Sequence, residues 1–452
     1  MASSHPSDPA DPRSNSSRRL FIKNGGMILA GSAIVGSNAQ VAKSAHAFGS
    51  DTIKVGLVGC GRRGAAATIQ ALNTASNGSP DRVELVAMAD AFGNNLQTAY
   101  RTINGRHRQQ VCSDLSKFVG LDSYRGVMQS DADVVILATP PGFRPLHFEA
   151  AIAAGKHVFM EKPVATDAAG VKRVLAAGEI ATKKGLAVQV GLQRRHELRY
   201  QQTIGLLRSG MIGEPVFARA YWNATPISIR ARREGESELE YQLRNWTAFN
   251  WLSGDLIGEQ HIHNLDVINW LMDSFPIDAN GQGGRAVAQD PTRGQVFDHH
   301  MIEFTYPGGE KLLSQCRQVH GCWTNVGEHV QCTMGSADIS NAVIKNRSGK
   351  VLWKSDAAVT KGKGWQAEQD NFFTSLRSGE RPNETKLGAD STMTAILGRA
   401  ATYTGRRISL DEAMNCGHPL ADVDSLLSLD SPAPIRSDAK GRYWTPIPGG
   451  QA

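Results

Sequence analysis

Apolar residues in this chain fall first into short runs and later into alternation. Residues 53–58, 83–89, 132–138, 156–160 and 187–190 are mostly apolar stretches of strand length. Between them lie helix-compatible segments, 65–72 and 147–154, and a further helix follows at 168–184. Strands that read as apolar throughout are buried on both faces, and their alternation with helices predicts a doubly wound parallel sheet. From Glu214 onward the runs lengthen and alternate, as in 216–222, 301–306 and 311–319. That period predicts antiparallel strands with one covered face. The fold class is therefore α/β over 48–192, followed by an α+β domain over 193–420 with a mainly antiparallel sheet. Residues 421–452 are left as an extension.

The chemistry-bearing residues sit where the apolar runs end. After the first strand comes Gly59-Cys60-Gly61-Arg62-Arg63-Gly64, opening a helix. Glycines at this spacing permit a tight turn and close approach of a pyrophosphate, which the helix amino terminus stabilises. Arg62 and Arg63 add candidate charge-assisted contacts to it. The second strand ends at Asp90, a candidate acceptor for the ribose hydroxyls of NAD that repels the extra phosphate of NADP; its alternative is a helix cap. Lys156 to Pro163 reads as a buried strand closed by Glu161, Lys162 and a proline that cannot continue it. A lysine at a strand's carboxyl end is placed to hold a substrate hydroxyl, with Glu161 setting its charge; a surface ion pair is the plainer alternative.

Trp251 to Trp270 carries the other charged constellation. On one helix, Glu259, His263, Asp266 and Trp270 share a face, and Leu265, Ile268 and Met272 share the opposite one. An acid one turn before a histidine is expected to fix the ring and raise its basicity, which suits His263 as a general base. His261 falls on the apolar side and reads either as a packed histidine or as a second polar group of the site. The spacing is not that of a zinc helix, so no metal is expected.

Composition narrows the partners. The chain has 452 residues, enough for two domains, with 41% hydrophobic and 20% charged residues. Its formal net charge is +6, but the folded part has no dense basic run, which argues against nucleic acid. The six cysteines include no C-x-x-C pair; Cys316, Cys322 and Cys332 lie close enough in sequence to permit a disulfide. At the amino terminus, Arg18-Arg19 precede a weakly apolar run from Met27 to Val35 and the small-x-small site Ala45-His46-Ala47. This is the pattern of a cleavable twin-arginine export signal over 1–47, and it predicts a periplasmic enzyme handled by that machinery. The run is too short for a stable membrane span.

Taken together, Gly59 to Gly64, Ala138-Thr139-Pro140, His147, Glu161-Lys162-Pro163, Gly191-Leu192-Gln193 and His263-Asn264-Leu265-Asp266 resemble the Gfo/Idh/MocA family of oxidoreductases. The resemblance implies that Gly59 to Gly64, Asp90, Thr139, Pro140, His147, Glu161, Lys162 and Gln193 bind the nicotinamide cofactor. It further implies that Lys162 binds the reacting hydroxyl and His263 moves its proton. An open sheet carrying the substrate pocket, and often a subunit interface, is implied for the second domain, hence a homo-oligomer. One departure stands out: many members carry Asp four residues before the histidine, and this chain has Glu259.

The function expected is hydride transfer between tightly held NAD, with NADP less favoured, and a secondary alcohol of a sugar, polyol or glycoside. The alternative is a glycosidase that oxidises a sugar carbon transiently, eliminates and re-reduces, with Glu259 or His261 as the extra acid or base. A cofactor-stabilised binding protein is a third reading, against which Lys162 and His263 stand. Substrate candidates are Arg194, Trp246, Trp251, His261 and Asp266, where the tryptophans serve either sugar stacking or core packing. Because free nicotinamide is scarce outside the cytoplasm, the cofactor is expected to stay bound, with Arg244 to Trp251 folding over it.

Overall fold

A computed structural model of the chain describes residues 52–75, 82–287, 290, 294–356 and 362–449. The twin-arginine stretch lies outside them.

The first sheet is built from β1 (Thr52–Val58), β2 (Arg82–Asp90), β3 (Val111–Val119), β4 (Val134–Leu137), β5 (His157–Met160) and β6 (Val188–Val190). Its six strands are parallel in the order β3-β2-β1-β4-β5-β6. This is a doubly wound sheet, and the order reverses between β1 and β4, so their carboxyl ends flank the crevice where such sheets bind ligands. β3 carries no continuous apolar run because it is an edge strand, with its residues only partly covered.

The second sheet contains β7 (Pro215–Ala224), β8 (Asp278–Gly284), β9 (His299–Thr305), β10 (Lys311–Gln318), β11 (Asn325–Cys332), β12 (Gly335–Asp338), β13 (Val343–Asn346), β14 (Val351–Lys354) and β15 (Ile408–Ser409). Its order is β14-β13-β12-β11-β7-β10-β9-β8-β15. All its pairings are antiparallel except β7 with β10, so the sheet is mixed but mainly antiparallel. The helix Thr385–Thr404 is buried along most of its length and packs on β8, on the helix Ala168–Lys183 and on the helix Ile262–Met272.

Packing does not follow chain order. Phe372, Phe373 and Leu376, from the late helix Gly364–Arg377, share a core with Ile53, Val55 and Phe159 of the first sheet. Residues 382–384 also return to β6: Val188 N donates to Pro382 O (2.7 Å) and Val190 N to Glu384 Oε2 (2.9 Å). The carboxyl-terminal extension joins a separate core, in which Val423, Leu426 and Tyr443 meet Leu239, Phe249 and Trp251. All six cysteines are free, so the 316–332 cluster holds no disulfide. Among the described residues no helix is long and apolar enough to cross a membrane.

Candidate active site

The glycine turn is wedged against the ends of its neighbouring strands. Gly59 has φ +98°, its N–H donates to Ala89 O (2.9 Å), and a Cβ there would lie 2.6 Å from the Ala138 carbonyl carbon. A Cβ on Gly64 would sit 1.9 Å from Gly59 O, so this glycine closes the turn rather than facing a ligand. Gly61 differs, since a Cβ there meets nothing within 4 Å. Gly59 to Arg63 line a cavity of about 1020 Å³, and Gly64 does not.

Asp90 holds this turn from the end of β2. Its Oδ2 accepts from Cys60 N (2.7 Å), and its Oδ1 accepts from Phe92 N (2.8 Å) and Asn95 Nδ2 (3.2 Å). Burial raises the carboxyl above its ordinary range against the pull of these donors. The N-cap of the following helix is Phe92, so Asp90 is not a cap; it lines the cavity. Arg63 corrects the expectation for the arginine pair. It is paired with Glu161 and lies 3.3 Å from Glu368 Oε1, so Arg62 alone remains exposed for an anion.

Around the crevice, Thr139, Pro140, His147, Glu161, Lys162, Gln193 and Asp90 all line the same cavity. Thr139 Oγ1 and His147 Nδ1 are 3.0 Å apart, and burial pushes the His147 imidazole down to about 3. His147 Nε2 and Gln193 Oε1 are buried without partners among the described residues. Arg144 was not legible as a site residue: fully buried, it donates to Pro163 O (2.6 Å) and Thr139 O, bracing two strand ends at once. Its only signal is a charged residue opening an apolar helix at Arg-Pro.

Lys162 follows β5 directly, with a cis Lys162–Pro163 bond. Its Nζ donates to the backbone carbonyl of Glu259 and lies 3.8 Å from that residue's Oε1. The expected α-helix is interrupted there: residues Ile257–His261 form a π-turn ahead of the α-helix Ile262–Met272. The wider turn carries Glu259 away from the α-helical face. Glu259 therefore engages Lys162 and forms no bond to His263, contrary to the expected acid–histidine pair. The opposite face is not the only covered one either, since nearly the whole helix is buried.

His263 lines the cavity at 8% exposure, with its ring stacked on Trp222 (6.3 Å between centroids, 28°). Nδ1 is buried without a hydrogen-bond partner among the described residues. Burial first, then the charges of Lys162, Arg194 and Arg63, holds the imidazole well below its ordinary range. It is neutral at physiological pH and able to take a proton.

Four of the five substrate candidates are corrected. Arg194 is buried against Glu328, and Asp266 is gripped by Arg195 (2.8–3.1 Å) and Ser391 Oγ (2.7 Å). Buried charges need such partners, and here the partners are other parts of the fold. His261 is fully buried with Nε2 2.7 Å from Ser314 Oγ, its imidazole pushed down to about 3 by desolvation. Trp251 donates to Gln242 Oε1 (2.8 Å) and packs edge-on to Phe143 in the core. None of these four lines the cavity, whereas Trp246 does. The cavity wall also includes Gln260, Arg230, Arg233 and Trp365, which the pattern along the chain did not single out. Among the described residues no group of His, Cys, Asp and Glu is arranged to hold a metal ion.

The donor set fits a dinucleotide. Gly61, where a Cβ meets nothing, His147 and Gln193, each with a buried unpartnered polar atom, and the exposed Arg62 all line one cavity. Comparison with known proteins agrees. Residues 53–192 match the Gfo/Idh/MocA model, described as an oxidoreductase family with an NAD-binding Rossmann fold. Inositol 2-dehydrogenase of Acidothermus cellulolyticus is 28% identical over 241 residues, covering 53% of this chain and 59% of that protein. That of Pseudomonas fluorescens is 39% identical over 131 residues, 28% of this chain and 32% of the other. The chain thus spans less than two thirds of the length of these relatives. Scyllo-inositol dehydrogenase of Lactobacillus casei, solved with NAD(H) and scyllo-inositol, shares the fold at a TM-score of 0.60 and 19% identity, over 80% of this chain and 99% of that one. Levoglucosan dehydrogenase, solved with NADH and levoglucosan, does so at 0.62 and 17%, over 79% and 99%. Glycine turn, crevice and family match coincide on one segment: residues 53–192 are similar to the NAD-binding Rossmann fold of the Gfo/Idh/MocA oxidoreductases.

Proposed function

We propose that this protein is an NAD-dependent oxidoreductase acting on a secondary alcohol of a polyol or sugar, of the kind named for its inositol dehydrogenase relatives. The observation that carries the reading is the convergence of Lys162, His263 and the glycine turn on one cavity. When bound, the nicotinamide supplies the hydride acceptor. Lys162 holds the reacting hydroxyl and favours its alkoxide character. His263, neutral because it is buried among cations, receives the proton as the carbon is oxidised. Trp246 offers a face for the carbohydrate ring.

The glycosidase alternative needs a further acid or base. His261 is buried on Ser314 outside the cavity, and Glu259 is engaged by Lys162, so neither stands free for an elimination. We further propose twin-arginine export to the periplasm, resting on Arg18-Arg19 and the Ala45-His46-Ala47 site, with the cofactor retained through turnover. The test is direct. The purified protein, its bound cofactor oxidised, is offered inositol isomers, hexoses, anhydrosugars and aryl glycosides while reduction of the bound NAD is followed as a single-turnover rise in absorbance. Oxidation of a polyol or sugar supports the reading; release of the aryl group without NADH accumulation overturns it in favour of the glycosidase.

A further inference from the structure

The carboxyl-terminal extension runs between the first sheet's helices and a wall of the cavity. At its start, Leu420 N donates to Asp167 Oδ2 (2.9 Å) and Asp424 pairs with Arg173 (2.7 Å), beside and within the helix Ala168–Lys183. Further along it grips residues 232–242. Leu429 O accepts from Ser237 Oγ (2.7 Å), and Ile435 O accepts from Gln242 Nε2 (2.6 Å). Tyr443 donates to Glu238 Oε1 (2.5 Å) and accepts from Arg232 Nη2 (2.8 Å). The Tyr443 ring lies parallel to Tyr241 (6.5 Å, 3°) and edge-on to Phe249 (4.9 Å, 84°), and only 3% of the residue is exposed.

The segment so gripped belongs to the cavity. Ile227, Arg230, Arg233, Asn245 and Trp246 line it together with the glycine turn and Asp90. Ile229 packs on the same core as Phe92 and Leu121, which stand next to the ends of β2 and β3. Arg230 and Arg233 are exposed cations on this wall, adding to Arg62 a charge that suits phosphate oxygens.

We infer that residues 227–247 form a wall of the dinucleotide site and that the tail 420–443 is the clasp holding this wall in place, so that nucleotide leaves only when the clasp loosens. The inference rests on the NAD reading above. A ligand enclosed by a separately anchored segment escapes at the rate at which that segment opens, and the anchoring contacts set that rate. Here the anchors are one aromatic stack, one buried tyrosine hydroxyl and the tail carbonyls. None of them lies among the residues lining the cavity.

The experiment is an NADH chase. Full-length protein loaded with NADH is mixed with excess NAD, and the loss of bound-NADH fluorescence gives the release rate. Tyr443→Ala is expected to speed release about tenfold or more, and Tyr443→Phe, which keeps the ring and loses both hydroxyl bonds, severalfold. Arg407→Ala, which removes a surface ion pair with Asp278 in the second sheet, serves as the control for general loosening and leaves release unchanged. If Tyr443→Ala fails to fold, Tyr443→Phe decides. Release within twofold of wild type in a folded Tyr443 variant, or equal acceleration in the Arg407 control, overturns the clasp while leaving the NAD reading intact. Wild-type protein that binds no NADH removes both.

Discussion

Lys162 is held by Glu259 through two different atoms: its Nζ donates to the Glu259 backbone carbonyl and stands 3.8 Å from the Glu259 carboxylate. The carbonyl belongs to the π-turn Ile257–His261, where the regular α-helical pattern is interrupted. The lysine is thereby tied to the element that leads directly into His263. The two groups proposed to share the hydroxyl and its proton are positioned by one turn of backbone.

Removing either group is expected to abolish the chemistry but not the cofactor site. Lys162→Ala and His263→Ala are expected to lower kcat by about 10²–10⁴-fold, the usual cost of losing a positioned acid–base group. Both variants are expected to retain NADH binding. Because His263 is held well below its ordinary range, the acid limb of kcat/KM falls below about pH 6.5. Wild-type kcat in either variant, or a histidine limb above that value, removes the assignment.

Glu259→Gln separates the carboxylate from the carbonyl. The backbone bond to Lys162 survives the substitution, so the fall in kcat is expected to be about tenfold, far smaller than for Lys162→Ala. A loss as deep as that of His263→Ala would place the carboxylate itself in proton transfer.

Much of this site was legible because strand ends announce themselves. Mostly apolar runs stopping before Gly59, Asp90, Thr139 and Glu161 mark buried parallel strands, and the crevice follows from their order. What periodicity could not give was the π-turn: it assumes 3.6 residues per turn, and one wide turn re-aimed Glu259. Polar clusters misled for a related reason. Arg194 and Asp266 look like substrate groups in sequence, but their partners Glu328 and Ser391 come from distant strands and helices that only tertiary structure brings near. The tail escaped notice because its irregular backbone has no period, although its aromatic residue completes a core.

Glu384 makes stability depend on pH in a specific window. Burial raises its carboxyl from 4.5 to about 7, while its Oε2 accepts from Val190 N at the edge strand β6. Between those values the folded protein keeps a proton that the unfolded chain has released. The contribution is therefore complete below about 4.5 and is lost as pH rises through about 7. With the side chain 24% exposed, water screens part of the effect, and about 1–2 kcal/mol is expected. Glu384→Gln preserves the acceptor and removes the titration. Denaturant unfolding at about pH 5 and 8 should show the variant gaining that amount on wild type as pH rises; a difference that does not change with pH contradicts it.

Asp90 predicts cofactor preference. Its charge lies on the cavity wall, where an added phosphate would be repelled by about 1–3 kcal/mol. NAD is expected to bind at least about tenfold more tightly than NADP. Asp90→Asn keeps one carboxamide oxygen, which can accept from Phe92 N or Cys60 N but not both, and by removing the charge should narrow the ratio. Equal affinities in wild type, or an unchanged ratio in Asp90→Asn, sink this prediction.

The last prediction joins address to chemistry. An enzyme released outside the cytoplasm without its nicotinamide finds little to replace it, so a cofactor that dissociated each cycle would end catalysis after one turnover. The twin-arginine route, proposed from Arg18-Arg19, carries folded proteins and is compatible with loading NAD before export. Arg18→Lys with Arg19→Lys is expected to leave the protein in the cytoplasm, active and loaded. Wild-type protein recovered from the periplasm, purified without added nucleotide and then denatured, is expected to release close to one equivalent of NAD or NADH per chain. A folded periplasmic protein that releases no nucleotide and regains activity only with about millimolar NAD would show that cofactor exchanges freely, and the link between export and retention would fail.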